Sequence, residues 1–327
     1  MQISCAVPTT LSSPDEVVVA EELGYERAWF YDTPQQSPDV WMMLALAAER
    51  TTRIGLGPGV LVPSLRHPMV NAAGTAALAA LAPGRVAIAF GTGFSGRRAM
   101  GYGPIKWAYV ESYVRAYRGL LRGETVEWEG ARMRMLHQEG HAAPRPVEVP
   151  VIVGALGPKG QAVARDLGDG VFVTTAVPAF AREFDWVAFH CLGTVLDDDE
   201  DPEAARETGG PGTVLAIHAA YEYKVPVAQL PGGEAWLEQI EQIPETDRHL
   251  AIHEMHCVGL NDADTAAWEG GAHQLLKAAT LSGTRAEVQE RLAALAEQGV
   301  TEVVYQPAGT DIRSELERFM DAAQPVR

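Results

Sequence analysis

Short apolar runs alternate along the chain with stretches of helical periodicity. Residues 3–7 read as a buried strand. Residues 13–23 read as a helix, with Pro14 near its start and Gly24 just past its end. A strand over 27–31 precedes a helix over 40–50. A third strand over 53–62 precedes a helix over 68–81. A fourth strand over 86–90 runs into GTGFSG and a long helix from about 107 to 121. The stretch ETVEWEGARMRM alternates apolar and polar side chains about a central Glu-Gly and reads as a hairpin. Further strands are expected over 151–153, 171–174, 187–196 and 302–306, the last after a helix over 285–298 that stops at Gly299.

Eight strands with helices between them predict an α/β fold, a (β/α)8 TIM barrel. A doubly wound sheet is the rival, but no G-x-G-x-x-G follows the first strand. The segment 197–284 is longer than a crossover needs and reads as an insertion before the last strand, with helices around 235–243 and 262–279. Residues 1–327 are otherwise read as one barrel domain, without an internal repeat.

The chain has 327 residues, of which 47% are hydrophobic, enough for a large core. No apolar run is long enough for a membrane span. The start, MQISCAVPTTLSSPDE, lacks the basic and apolar regions of a signal peptide. Cys5, Cys191 and Cys257 are far apart and read as reduced thiols of a cytoplasmic protein. With 43 acidic and 26 basic residues the net charge is −17, which argues against nucleic acid and anionic membranes as partners.

In a barrel the chemistry sits at the C-terminal ends of the strands. Strand two ends in Tyr31-Asp32-Thr33, strand three in GPGVLVPSLRHP, strand four in GTGFSGRR and strand five in GALGPKG. In the last of these, Gly154, Gly157 and Gly160 lie between a strand and a helix. They read either as a tight turn or as a seat for an anion at the helix N-terminus. Clustered Gly, Thr and Asp at one end of the barrel suggest a flat, phosphate-bearing ligand. Asp32 could instead cap the next helix, although it stands several residues too early. His67 reads as a cap or a ligand, and Trp107 as a pocket residue. HEMHC at 253–257 has the spacing H-E-x-H, not that of a zinc helix, and no third ligand is evident. Its histidines read as core or pocket residues, and no metal is expected.

GVLVPSLRHPMVNAAGTAALAALAPGR (59–85), VAIAFGTG (86–93), PVIVGALGPKGQAVARDLGDGVF (150–172) and RAEVQERLAALAEQGVTEVVYQPAG (285–309) follow one another in a specific order. In this the chain resembles the bacterial-luciferase-like family of barrels, and within it the branch that uses the deazaflavin coenzyme F420. The resemblance spans nearly the whole chain and is weakest over 197–284. It implies a cis peptide bond at Gly59–Val60 behind the central ring of the cofactor, with Val60 and Val62 lining that ring. It places Thr92 and Gly93 against the cofactor, and Ala155, Leu156, Gly157, Lys159 and Gly160 around its phosphate. Asp32 matches an acid that contacts the deazaflavin.

The resemblance therefore implies an F420-dependent oxidoreductase that moves a hydride between the deazaflavin and a small organic substrate. Asp32 is the catalytic candidate, and Tyr31 or a histidine of the insertion could also relay the proton. An FMN-dependent monooxygenase of the same fold is the alternative, and a barrel that has lost flavin binding is a third reading. Sugar-phosphate dehydrogenases of the branch carry His directly after the strand-two acid and Glu directly after GTG; here those positions are Thr33 and Phe94. Phe94 suggests an apolar substrate pocket. Relatives that reduce methylene-pterins keep an acid on the first strand, where this chain has ISCAVPTT. Arg66, Arg97, Arg98 and Lys159 are the candidates to meet the acidic tail of F420, within a screening length of ~8 Å. The family also implies a homodimer, formed through Trp41, Met42, Met43 and Leu46.

Overall fold

Strands whose residues are apolar on both sides need cover on both faces, and the intervening helices supply the outer cover. The computed structural model describes residues 1–324. In order come β1 (Gln2–Val7), α1 (Ser13–Leu23), β2 (Arg27–Phe30), α2 (Val40–Arg50), β3 (Gly55–Pro58), α3 (Pro68–Leu81), β4 (Ile88–Phe90), α4 (Phe94–Arg98) and α5 (Trp107–Arg122). The antiparallel hairpin of β5 (Val126–Trp128) and β6 (Ala131–Met133) follows, as the alternation predicts. Next are β7 (Val151–Gly154), α6 (Pro158–Leu167), β8 (Gly170–Thr174), β9 (Val187–Leu192) and β10 (Val195–Leu196). A helical segment then carries α7 (Arg206–Thr213), α8 (Leu215–Glu222), α9 (Gly233–Glu241), α10 (Arg248–His253), α11 (Asp262–Glu269) and α12 (Leu276–Ala279). The chain returns through β11 (Gly283–Thr284), α13 (Arg285–Glu297), β12 (Glu302–Gln306) and α14 (Ile312–Ala323).

Among the described residues eight parallel strands pair in the order β3-β2-β1-β12-β9-β8-β7-β4. Bridges Leu56–Val86 and Leu61–Phe90 join the two ends, so the sheet closes into the expected (β/α)8 barrel. Alternate residues point inward: Ala6, Trp29, Ala89, Ile152, Phe172, Ala188 and Val304 fill the lumen. At the N-terminal end Glu302 accepts the indole N–H of Trp29 at 3.0 Å and of Trp186 at 2.5 Å, and the Arg27 guanidinium lies 5.4 Å and 5.3 Å from those rings. That end is sealed, which leaves the C-terminal mouth for chemistry. β10 pairs with β11 outside the ring, so the helical insertion starts and ends at one small parallel pair.

Several boundaries differ from expectation. β3 ends at Pro58, not at residue 62, because the chain leaves the sheet at Gly59 and touches it again only at Leu61. The strand expected over 187–196 breaks at Gly193-Thr194 into β9 and β10. The helix expected over 262–279 stops at Glu269, where Gly271 takes φ 108°. α4, α7, α8, α10 and α14 have no counterpart among the elements expected from the sequence.

Candidate functional site

Four strand ends converge at the mouth. The Gly59–Val60 bond is cis, as the resemblance implies. The segment that follows lies directly against the ends of β4 and β7. A Cβ built on Gly91 would come 2.7 Å from Val60 Cγ2, a distance real side chains do not reach, so Val60 seats only because Gly91 has no side chain. A Cβ built on Gly154 would meet Val60 Cγ1 at 3.6 Å, and one on Gly93 would come 2.5 Å from Val62 Cγ1. Thr92 is half-buried beside them. Gly59, Val60, Val62, Thr92 and Gly93 are thus brought together, with the loop after β7 alongside.

In that loop Ala155 is buried, whereas Leu156, Gly157 and Lys159 are exposed, and a Cβ on Gly157 would meet nothing within 4 Å. Gly157 caps α6 and Pro158 occupies its first turn. Among the described residues the amides of Lys159 and Gly160 have no acceptor, which is the usual state of a helix N-terminus that can receive an anion. Two expectations change here. A Cβ on Gly160 would lie 2.5 Å from Trp107 Cζ2, so this glycine lets the indole pack onto α6. Trp107 consequently belongs to the helix layer and not to the pocket. The Lys159 side chain borders a groove on the outer surface with Glu111 and Asp166, so its charge is not aimed at the mouth.

Asp32 also has a different setting from the one expected. Its carboxylate takes the Arg66 guanidinium at 2.6 Å and the Val62 amide at 3.4 Å, and its side chain is 1% exposed. Arg66 reaches on to Asp39 at 2.7 Å, and it is Asp39 that caps α2. Burial lifts the Asp32 carboxyl above its ordinary value against the pull of Arg66. Burial lowers Arg66, but the two carboxylates outweigh it and hold the guanidinium above its ordinary value. With its oxygens on the Arg66 guanidinium and the Val62 amide, Asp32 anchors the loop that carries Val60 and Val62. His67 caps α3, its Nδ1 accepting from the Met69 amide at 3.1 Å.

Among the arginines expected to meet an acidic tail, Arg66 is held by Asp32 and Asp39, and Arg98 by Glu222 of α8. Arg97 donates to Gly103 O and Ser64 Oγ, neither of them charged. Phe94 stacks on Tyr223 with ring centres 5.6 Å apart, so the insertion covers it.

Residues 253–257 cross the mouth. The His253 carbonyl accepts from Gln36 after β2, His256 Nε2 lies 3.2 Å from Ser95 Oγ after β4, and the Cys257 carbonyl accepts from Gln306 Nε2 of β12 at 2.7 Å. His256 stacks on His218, whose Nε2 meets Asp264 at 2.7 Å. Burial, reinforced by neighbouring histidines, pulls His253 down to about 4 and His256 well below its ordinary value. Among the described residues no group of three or more His, Cys, Asp or Glu could hold a metal ion, and no helix is long and apolar enough to cross a membrane.

One cluster was not read from the sequence. Tyr31 OH lies 3.4 Å from His190 Nε2, which lies 3.1 Å from Gln306 Oε1, with Phe172 stacked on the imidazole. These side chains floor the half of the mouth opposite the glycines. The available signal was a polar residue at an inward position of an apolar strand: His190 two after Ala188, and Gln306 two after Val304.

A closed barrel with its loops gathered at one mouth matches a known family. The model of luciferase-like monooxygenases covers residues 13–188, more than half of the chain, and the chain belongs to that family. It is 27% identical over 335 residues to the 5,10-methylenetetrahydromethanopterin reductase of Archaeoglobus fulgidus, covering 92% of this chain and 91% of the relative. It is 33% identical over 171 residues to the F420-dependent glucose-6-phosphate dehydrogenase of Beutenbergia cavernae, covering 48% and 51%. Among solved structures, the coenzyme F420-dependent tetrahydromethanopterin reductase from Methanopyrus kandleri superposes with a TM-score of 0.71 at 20% identity, over 99% of both chains. An F420-dependent secondary alcohol dehydrogenase in complex with an F420–acetone adduct does so with a TM-score of 0.65 at 18% identity, over the full length of both.

Proposed function

We propose that the protein is a coenzyme F420-dependent oxidoreductase that passes a hydride between the deazaflavin and a small uncharged organic substrate. The observation that carries this is the division of the mouth. One half is backbone and small apolar side chains, Gly59 to Val62 against Gly91, Thr92 and Gly93, beside a helix N-terminus with free amides. The other half is a polar floor. A flat ring with a phosphate fits the first half, since Gly157 leaves open space before α6 and Gly91 lets Val60 support a ring from behind. The relative whose name carries F420, the glucose-6-phosphate dehydrogenase of Beutenbergia cavernae, aligns over 48% of the chain, which favours F420 over FMN.

When bound, the deazaflavin supplies the hydride donor or acceptor. Val60 and Val62 support the ring, Thr92 and Gly93 border it, and the loop 155–160 receives the phosphate through backbone amides. Asp32 and Arg66 hold the supporting loop in place. The insertion excludes water by lying across the mouth. Thr33 and Phe94 leave no acid or base where sugar-phosphate dehydrogenases of the branch carry them, so a sugar phosphate is not the substrate. The first strand, which lacks an acid, likewise speaks against a methylene-pterin. The reading includes a cytoplasmic location and a homodimer, for which Met42 and Leu46 of α2 are exposed; Met43 instead packs into the core.

Titration with F420 and with FMN, followed by fluorescence quenching, tests the assignment. Saturable micromolar binding of F420 is expected. Binding of FMN without a response to F420 would make the protein a monooxygenase of the same fold, and no response to either would make it a barrel without cofactor.

A further inference from the structure

The polarity of the hydrogen bonds on the floor of the mouth can be worked out from one fixed point. A backbone carbonyl only accepts, so Gln306 must present its NH2 to Cys257 O, 2.7 Å away. Its oxygen Oε1 then faces His190 Nε2 at 3.1 Å, and that nitrogen must carry the proton. Tyr31 OH, 3.4 Å from the same nitrogen, cannot donate to it, because the lone pair there is replaced by N–H. The phenol proton therefore has no acceptor among the described residues. Burial pushes the Tyr31 phenol well above its ordinary value, and burial pulls His190 down to about 4, so the floor stays a protonated phenol beside a neutral imidazole at physiological pH. Tyr31 thus keeps a free phenol proton beside His190 Nε2, and Gln306, whose oxygen faces the same nitrogen, donates through its NH2 to the Cys257 carbonyl; both donors are neutral. Arg66 and Arg98 are both paired with carboxylates.

We propose that Tyr31 and Gln306 hold the carbonyl oxygen of the substrate, and that the Cys257 carbonyl of the insertion occupies this place on Gln306 when the loop is closed. Binding then requires the loop to yield the position. Met255 and Cys257, at φ 58° and 66°, are non-glycine residues in left-handed backbone, which disfavours the closed arrangement. The ligand class is an uncharged ketone or enone, with an apolar body against Phe172 and Val60. This rests on the oxidoreductase reading only for the use made of the bound oxygen. In that use reduced F420 would supply a hydride to the carbonyl carbon, the C=O π electrons would move to the oxygen held by Tyr31 and Gln306, and that oxygen would take the Tyr31 phenol proton, replaced from solvent when the loop opens, to give the carbinol.

The test uses cyclohexanone labelled with 13C at the carbonyl, added to the full chain. With the wild type the carbonyl resonance is expected to move downfield saturably, as hydrogen bonding to oxygen requires. In Tyr31→Phe and in Gln306→Met, a side chain of similar volume, the bound shift shrinks. F420-supported reduction of cyclohexanone falls on the order of 10-fold to 100-fold in kcat/KM. The F420 titration stays within about twofold of wild type if cofactor and substrate halves are separate. Absence of a carbonyl shift in the wild type, or an undiminished shift in both variants, overturns the proposal. Loss of F420 binding in the wild type with the 13C shift intact would remove the cofactor reading and leave the donor pair standing.

Discussion

Acidification to pH 5 should loosen this protein through three histidines that it keeps neutral. His190 and His253 are pulled from an ordinary value near 6.5 to about 4, first by burial, and His256 is pulled well below. The unfolded chain takes up protons at these sites as the pH falls through 6.5, while the folded chain does not. Stability therefore rises with pH between about 4 and 6.5 and is lost on acidification. For a site moved from 6.5 to 4, the loss between pH 7 and pH 5 is about 2 kcal/mol. His190 and His253 each contribute a loss of that order, and His256 adds to it in the same direction. Asp32, Glu16 and Glu315, raised chiefly by burial, act in the opposite sense. A difference between wild type and a single variant cancels them. Urea unfolding at pH 7 and pH 5 should show that His256→Gln loses less stability than wild type over that interval. The same loss in variant and wild type would refute the reasoning, since it would mean that His256 titrates freely in the folded chain.

Arg66→Met leaves Asp32 buried without its partner and should cost about 3–5 kcal/mol in urea unfolding; adding Asp32→Leu to it should recover most of that loss. Gly160→Ala forces α6 away from Trp107 and should lower stability by about 1–3 kcal/mol, seen as a reduced Tm and a shift in tryptophan fluorescence. Thr284→Ala removes a capping box, in which Thr284 and Glu287 satisfy each other's amides at the start of α13, and should cost about 1 kcal/mol by the same urea assay.

The barrel was legible because its strands are unbroken apolar runs and its helices carry start and stop residues. α2 and α3 begin and end where periodicity places them. The insertion was harder for a physical reason. α7 contains Gly209, Gly210, Pro211 and Gly212, a composition that speaks against a helix. It forms because side chains at those glycines would collide with Leu276, Leu260 and Leu192, so close packing overrides propensity. The glycines at the strand ends are a local signal in the sequence, and the family resemblance, not their spacing alone, is what implies a cofactor beside them. The polar floor could not be read there, because Tyr31, His190 and Gln306 come from strands far apart in sequence and meet only when the ring closes. Asp32 reads from the sequence as a catalytic and cofactor-contacting acid, but its pairing with Arg66, 34 residues on, is not legible there.

β10 and β11 stand side by side, so the chain departs for its helical excursion and comes back at neighbouring points. An exchange of everything between them would leave every stave of the cylinder, and the glycine-lined half of its rim, as they are. A lineage can therefore replace this helical cover by one of a different shape without rebuilding the barrel beneath it.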